Sequence, residues 1–477
     1  MFRLISALTI LLVVACTKPA GEVPFQGINT GIFGLDREEG ILLYNGPDKS
    51  PSQEELRIDG DVIRFPQLPD SLGLGEPIPA EWRDAPYRFY RSELPLLRLD
   101  VRAGVEPGAD YRSAHYTLVD GGTVTAEGLA AIRLRGNTSL EFPKKSYRLE
   151  LREEDGTSIR DESLLGMRSD DDWLLDGMWN EPLAIRDMSA MEWWLGFGRV
   201  HYQDEEPEVQ LGADRRYCEL FINDRYRGLY YLGERLDRKQ LKLAFHRGPG
   251  TGGELYKAQG WGEAVGGFTL PPVDNDNLRW GNYEVKYPTE PGTFDWQKLR
   301  EFVALFKDGT NERIARKMSA TVDVDNLVDY FIFTNQLDAF DNQGNNVFIA
   351  RRNPDSPYYF VSWDFDATLG IGISGQPTVY SDEMLTHLVT GRLLGVPGFR
   401  EALKERWQQV GNRQIWLEGI FNVYQRNHNL LLRNRIYERE ATIAGLERPL
   451  PDPAALADLE RVLRNRSAAV DDFIFGL

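Results

Sequence analysis

Hydrophobic positions change their period along this chain, and the changes divide it. From Pro95 to Leu232 most apolar residues recur every second position: Pro95-Leu-Leu-Arg-Leu-Asp-Val101, Tyr111 to Val119 and Ala130 to Arg135 all read as strands. The segment Lys145 to Leu151 alternates cleanly, with Tyr147, Leu149 and Leu151 on one face. Tyr217 to Ile222 and Tyr226 to Leu232, on either side of Asn223-Asp-Arg, predict a hairpin. Helical spacing interrupts this once, in Pro182 to Leu195, where Leu183, Met188, Met191 and Trp194 recur with a Pro near the start. It takes over from Asp325 to Phe340, with Leu327, Tyr330, Phe331, Thr334 and Leu337 as a stripe, and again over Gly398 to Arg439 and Pro453 to Phe473. Strands therefore crowd the N-terminal part and helices the C-terminal part, an α+β organisation.

Two stretches stand outside this pattern. Leu4 to Val14 is a continuous apolar run behind Arg3, too short to span a bilayer but of the length of a secretory h-region, and Ala15-Cys16 follows it. A Cys after Val-Val-Ala resembles a bacterial lipoprotein cleavage and lipidation site, which implies a mature chain beginning at Cys16 and anchored by acyl chains. In double-membraned bacteria Thr17, rather than Asp, after that Cys favours the outer membrane. Residues 17 to 92 are rich in Gly, Pro and Asp with short apolar pieces such as Gly40 to Tyr44, and predict a few strands or an extended arm.

Charge and composition narrow the partners. A net charge of −18 argues against nucleic acid and anionic membrane surfaces, so the membrane is met through the lipid anchor alone. Beyond Cys16 only Cys218 remains, so no internal disulfide can form. The five His residues are far apart in sequence, which argues against zinc. Asp274-Asn-Asp276-Asn lacks the Gly and closing Glu of a calcium loop and reads as a solvated loop.

Two polar stretches carry the chemistry. Asp341-Asn-Gln-Gly-Asn-Asn346 precedes Val347-Phe-Ile-Ala, and Tyr358-Tyr-Phe-Val-Ser leads into Trp363-Asp364-Phe365-Asp366. The Asn353-Pro-Asp-Ser-Pro357 turn between these strands predicts a short hairpin that brings both acidic ends to one edge. Phosphoryl transfer needs a carboxylate to orient the acceptor hydroxyl, an amide oxygen on a metal, and a second metal carboxylate. All three occur here in that order, although polar turns after a helix and a strand use the same residue types. The second stretch, Arg133-Leu-Arg135-Gly136-Asn-Thr-Ser139 with Pro143-Lys144-Lys145-Ser-Tyr-Arg148, sets five basic residues against one acid in an acidic protein. A strand, a polar turn and a returning strand with Lys at its start can lay backbone N–H groups and an ammonium over phosphates. Gly136 suits a turn or a close backbone approach. Trp173, Trp179, Trp193 and Trp194 read as core rather than as substrate platforms.

Joined with Leu164-Leu-Gly-Met167, Asp170-Asp-Asp-Trp173 and Glu219 to Glu234, these motifs resemble the CotH family of atypical protein kinases over roughly residues 94 to 400. The resemblance implies an atypical protein-kinase-like fold, Asp341 as catalytic residue, Asn346 as metal ligand and Asp364 as the metal-binding Asp. Asp366 stands where kinases have Gly, as is usual in this family, and the sequence leaves open whether it also touches metal. Lys145 is the better candidate for the phosphate-binding Lys, with Lys144 pointing to the other face and Arg135 and Gly136 beside the phosphates. Glu192 or Glu234 could pair with that Lys, and Arg186 could reach the nucleotide or lie on the surface.

The resulting organisation is a lipoprotein signal at 1–16, an N-terminal extension at 17–92, a kinase-like domain at 93–400 and C-terminal helices at 401–477 packed on it. The implied function is an exported, lipid-anchored kinase of the bacterial cell envelope that transfers phosphate from ATP, with Mg2+ or Mn2+, to Ser or Thr of a protein substrate. Little ATP is expected outside the cytoplasm, so another phosphoryl donor or transfer of a nucleotidyl group also suits the residues. The alternative is a surface binding or structural lipoprotein that keeps the fold as a scaffold.

Overall fold

The short apolar pieces before residue 92 pair with one another. In the computed structural model, which describes residues 31–48, 55–67, 69–248, 250–260, 269–290, 292–386, 388–446 and 448–477, strands β1 (Phe33–Asp36), β2 (Ile41–Tyr44), β3 (Ile78–Trp82) and β4 (Ala85–Arg91) form one sheet in the order β1-β2-β4-β3. This stretch is thus a strand-bearing extension rather than an extended arm. Its Ile41, Leu43 and Tyr90 bury against Phe221, Tyr226 and Ile443 of the main body. The signal-like run and Cys16 lie outside the described residues.

Seven alternating strands close into a barrel: β5 (Leu96–Val101), β6 (Arg112–Asp120), β7 (Thr123–Arg135), β8 (Ser146–Arg152), β9 (Asp172–Asp176), β10 (Arg215–Ile222) and β11 (Arg225–Glu234), in the order β8-β9-β11-β10-β5-β6-β7. Alternate residues such as Leu97, Leu99, Tyr116, Tyr147, Leu149, Trp173 and Cys218 fill the interior, so closure removes the sheet edges while outward residues such as Arg112, Thr123 and Glu127 stay in water. The predicted hairpin is β10–β11, and its turn residues Asn223 and Asp224 both have φ of +54°, the left-handed geometry of a two-residue turn. Between β9 and β10 the predicted helix forms as α1 (Arg186–Phe197).

The C-terminal half packs helices on a second sheet. Strands β12 (Glu254–Gln259), β13 (Arg279–Trp280), β14 (Tyr283–Tyr287), β15 (Asn345–Arg351) and β16 (Tyr359–Ser362) run in the order β13-β14-β12-β15-β16. Helices α2 (Trp296–Asp308), α3 (Asn311–Thr321) and α4 (Val324–Gln336) precede β15; α5 (Leu388–Leu393), α6 (Pro397–Gln409), α7 (Arg413–Arg433), α8 (Ile436–Glu440) and α9 (Ala455–Gly476) follow β16. Helix α4 is wrapped on all sides: every residue from Asn326 to Gln336 is buried, not only the stripe that periodicity shows. Its polar side chains are therefore tied to neighbours. Asp329 receives Arg199 and Arg406, and Asn335 holds the backbone of Leu385 through both ends of its amide. Arg466 of α9, fully buried, donates to the carbonyls of Asn335, Ser381 and Glu383 at 2.8 to 2.9 Å and so straps the segment after Asp366 to α4.

Candidate active site

The β15–β16 hairpin places the acidic motifs as the turn signal predicts. Val347 pairs with Ser362 and Ala350 with Tyr359, so Asn346 and Trp363 emerge at the same end. Two short polar segments bracket that end. Helix α4 stops before a 3-10 turn, Phe340–Gln343, which buries Asp341, and the chain leaves β16 through Asp364. Asn346 and Asp364 both have left-handed backbones, φ +46° and +63°, a conformation that Asn and Asp tolerate better than most residues. Asn342 fixes the turn, its amide donating to the carbonyls of Asn346 at 3.1 Å and Trp363 at 2.7 Å.

Asp341 and Asn346 are joined directly. The Asn346 side chain donates to Asp341 Oδ2 at 2.8 Å, which leaves the amide oxygen as the end that can face a cation. Together they line a cleft of about 660 Å³ whose other walls include Arg135, Gly136, Asp176, Asp187, Lys257, Asp364 and Asp366. From the barrel side, Gly136 has φ of +111°, a conformation strained for any side chain, and a Cβ there would also have to displace the Ser139 hydroxyl 1.7 Å away. Arg135 also reaches the cleft, where it pairs with Asp176 at 2.8 Å.

The lysines are arranged differently from the expectation. Lys145 turns away from the cleft and donates to the carbonyls of Leu140 and Phe142 at 2.8 and 2.6 Å. Lys144 is the one that lines it, but its ammonium is buried against the Leu229 carbonyl, the Glu440 carboxylate and the Tyr230 ring. Burial pushes its pKa down to about 8 although Glu440 opposes the shift. Neither expected acid meets a lysine. Glu192 pairs with Arg426 at the surface, and Glu234 accepts from the backbone of Arg168 and Asp214 at 2.9 and 3.1 Å. Arg186 faces neither solvent nor the cleft: it is buried, bonded to Glu181 and the Thr368 carbonyl. Trp173 and Trp194 are core, and Trp193 is partly buried against it; Trp179 instead lines the cleft.

Glu440 organises this region from the C-terminal side. Besides Lys144 it accepts from the Leu229 backbone and from Arg448 at 2.8 Å each, and Arg448 donates in turn to the carbonyls of Met178 and Glu181. Glu181 caps the start of α1 by accepting from the backbone of Leu183, Ile185 and Arg186. On α1, Asp187 accepts from the Phe365 backbone at 2.8 Å and pairs with Arg215, which ties the helix to the segment holding Asp364.

The oxygen-bearing groups of the cleft have the chemistry of a divalent-cation site. Asp176 and Asp187 have arginine partners and Asp366 accepts from Asn180, whereas Asp364 has no hydrogen bond or ion pair among the described residues. Burial, then Asp187 and Asp176, push the Asp364 pKa up to about 7, and burial with Asp364 pushes Asp366 up as well. Crowded, buried carboxylates with raised proton affinity mark a place where a cation would lower the energy. Asp364, Asp366 and the Asn346 amide oxygen are the groups that would hold it, and the ion would neutralise phosphate charge.

The CotH kinase protein family model matches residues 132–446. The chain belongs to that family. The match begins inside β7 and runs past Glu440, so the segment that anchors Lys144 falls within the CotH region, beyond the stretch over which the sequence motifs themselves could be followed. Inner spore coat protein H of Bacillus subtilis (strain 168) is 23% identical over 362 residues, which cover 72% of this chain and 86% of that protein. A kinase-like CotH protein is the function class these similarities support, with ATP and divalent metal as the ligands that class suggests.

Several residues of the cleft and its supports were not singled out from the sequence. Lys257 carried a signal, a lone basic residue in the apolar strand Glu254-Leu-Tyr-Lys-Ala. Asp176, Asp187 and Glu440 carried none, since each sits in an ordinary charged or mixed context.

Proposed function

We propose that this protein transfers the terminal phosphoryl group of ATP to a Ser or Thr hydroxyl of a protein, with Mg2+ or Mn2+, and that it does so exported and lipid-anchored through Cys16. The observation that carries the reading is the convergence of Asp341, Asn346 and Asp364 on one cleft that also presents cations. In this reading the acceptor oxygen attacks the terminal phosphorus, the bond from phosphorus to the bridging oxygen breaks, ADP leaves with the electron pair, and Asp341 takes the hydroxyl proton. Asn346 keeps the Asp341 carboxylate oriented, and its oxygen and Asp364 would hold the metal, which would neutralise phosphate charge.

One observation favours the second reading, a scaffold without activity: neither Lys144 nor Lys145 offers a free ammonium to phosphate. Nucleotide binding separates the two. The purified soluble chain should melt at a higher temperature with ATP and magnesium, and less so with ATP and a chelator. A folded protein with no response to ATP under either metal leaves the scaffold reading. Retention in the membrane fraction, with modification at Cys16, tests the anchor.

A further inference from the structure

Four cations line the cleft, Arg135, Lys144, Lys257 and Arg279, and three of them already face an acid. Arg135 has Asp176, Lys144 has Glu440, and Arg279 lies 3.9 Å from Glu284. Lys257 has no hydrogen bond or ion pair among the described residues. Its ammonium stands 5.8 Å from the centre of the Phe348 ring on β15. The acid across from it on β14, Glu284, is occupied by Lys286 and by the Gln259 amide.

A half-buried ammonium with no such partner, on a central strand set between two neighbours of the same sheet, loses part of its hydration without a bonded acid to replace it. Burial holds its pKa down, and Asp364 is the group that does most to restore it. Its place in the sheet is equally specific. Strand β12 pairs with β15, with Gln259 opposite Asn345 and Lys257 opposite Phe348, so Lys257 shares a wall with the turn carrying Asp341 and Asn346. That turn, Asp341-Asn-Gln-Gly-Asn-Asn346, contains no basic residue of its own. Arg135 and Gly136 reach the cleft from the barrel, and the Arg135 charge is near enough to Lys257 to oppose its protonation.

We propose that Lys257 contacts the oxygens of the phosphoryl group being transferred, supplying from a neighbouring strand the positive charge that the Asp341 turn lacks. This rests on the kinase reading. As phosphorus moves from the bridging oxygen of ATP to the acceptor oxygen, the charge on its other oxygens stays within reach of the ammonium, and nothing but the acceptor proton is released to Asp341. Arg135 and Gly136, on the barrel side, are then left for the phosphates that depart with ADP.

The test compares Lys257→Met and Lys257→Arg with wild type in three measurements: ADP–magnesium affinity, ATP–magnesium affinity, and turnover of ATP labelled in its terminal phosphate. Wild type should prefer ATP over ADP. Lys257→Met should keep its ADP affinity within about twofold, lose the preference for ATP, and lose turnover by roughly a hundredfold or more, as when one preorganised charge is removed from a transferring phosphoryl group. Lys257→Arg should recover part of both losses, which a purely structural lysine would not require. Unchanged ADP binding with undiminished ATP preference and turnover in Lys257→Met overturns the inference and leaves the kinase reading standing. If wild type binds neither nucleotide, the kinase reading fails and the inference falls with it.

Discussion

The ammonium of Lys144 and the carboxylate of Glu440 form a buried pair that links the strand entering the barrel wall to helix α8. Protein kinases steady their phosphate-site lysine with a glutamate from a helix beside the nucleotide; the Lys144–Glu440 pair instead joins the barrel to the far end of the domain and leaves no ammonium free for phosphate. Removing one partner of such a pair leaves an uncompensated charge in the interior. Glu440→Gln should therefore cost about 3–5 kcal/mol of stability, read by urea denaturation. Lys144→Met combined with Glu440→Gln should recover part of the loss. Additive losses in the double variant would show that the two groups do not depend on each other.

Asp341→Asn should leave the fold and the nucleotide affinity close to wild type, because an amide can occupy the same space beside Asn346. Turnover should drop on the order of a hundredfold or more, as expected when a proton-accepting carboxylate is lost. Transfer of labelled phosphate at the wild-type rate would remove Asp341 from the catalytic role. Asn342→Ala is the contrasting variant: its amide holds the carbonyls of Asn346 and Trp363, so it should lower stability as well as rate.

Metal binding should depend on pH through Asp364. Its folded pKa is raised to about 7, so without metal this group favours the folded state below the ordinary carboxylate range and gives up that contribution as pH rises towards 7. A divalent cation needs the ionised form and displaces the proton. The rise in melting temperature produced by magnesium with ATP should thus shrink as pH falls below about 7, and Asp364→Ala should lose the magnesium-dependent part at every pH. A magnesium response that is flat across this range in wild type would count against Asp364 as a ligand.

For the proposed anchor, Cys16→Ser should either release the protein from membranes or leave it with its signal uncleaved, since a single short apolar run then provides the only attachment. Fractionation and the mass of the N-terminal peptide report the outcome. Normal processing with unchanged membrane association would refute lipidation at this position. Turnover of the soluble part should be the same in both forms.

The polar turns and the β15–β16 hairpin were legible because their causes are local: turn residues, a short strand length and a matching register bring Asn346 and Asp364 to one end. The choice between Lys144 and Lys145 was not. Alternation correctly puts the two on opposite faces, and Lys145 has the parity of Tyr147, Leu149 and Leu151, which fill the barrel. The cleft lies on the other face, beside Lys144 and Ser146, and only the docking of the second sheet decides that. Glu440 was invisible for a related reason. Its partners are a backbone amide in β11, Lys144 and Arg448, and no spacing along the chain records such a meeting.

The late arrival of that support sets an order on biosynthesis. A ribosome completes every proposed metal and proton-transfer residue when it passes Asp366, yet Glu440, Arg448 and Arg466, which hold Lys144, the start of α1 and the segment after Asp366, have still to be made. A nascent chain that ends soon after Asp366 therefore lacks the contacts that hold these three places until the C-terminal helices have joined the body. For the same reason, a proteolytic fragment cut before Ile436 would carry Asp341, Asn346 and Asp364 without the Glu440 and Arg466 contacts that brace their surroundings.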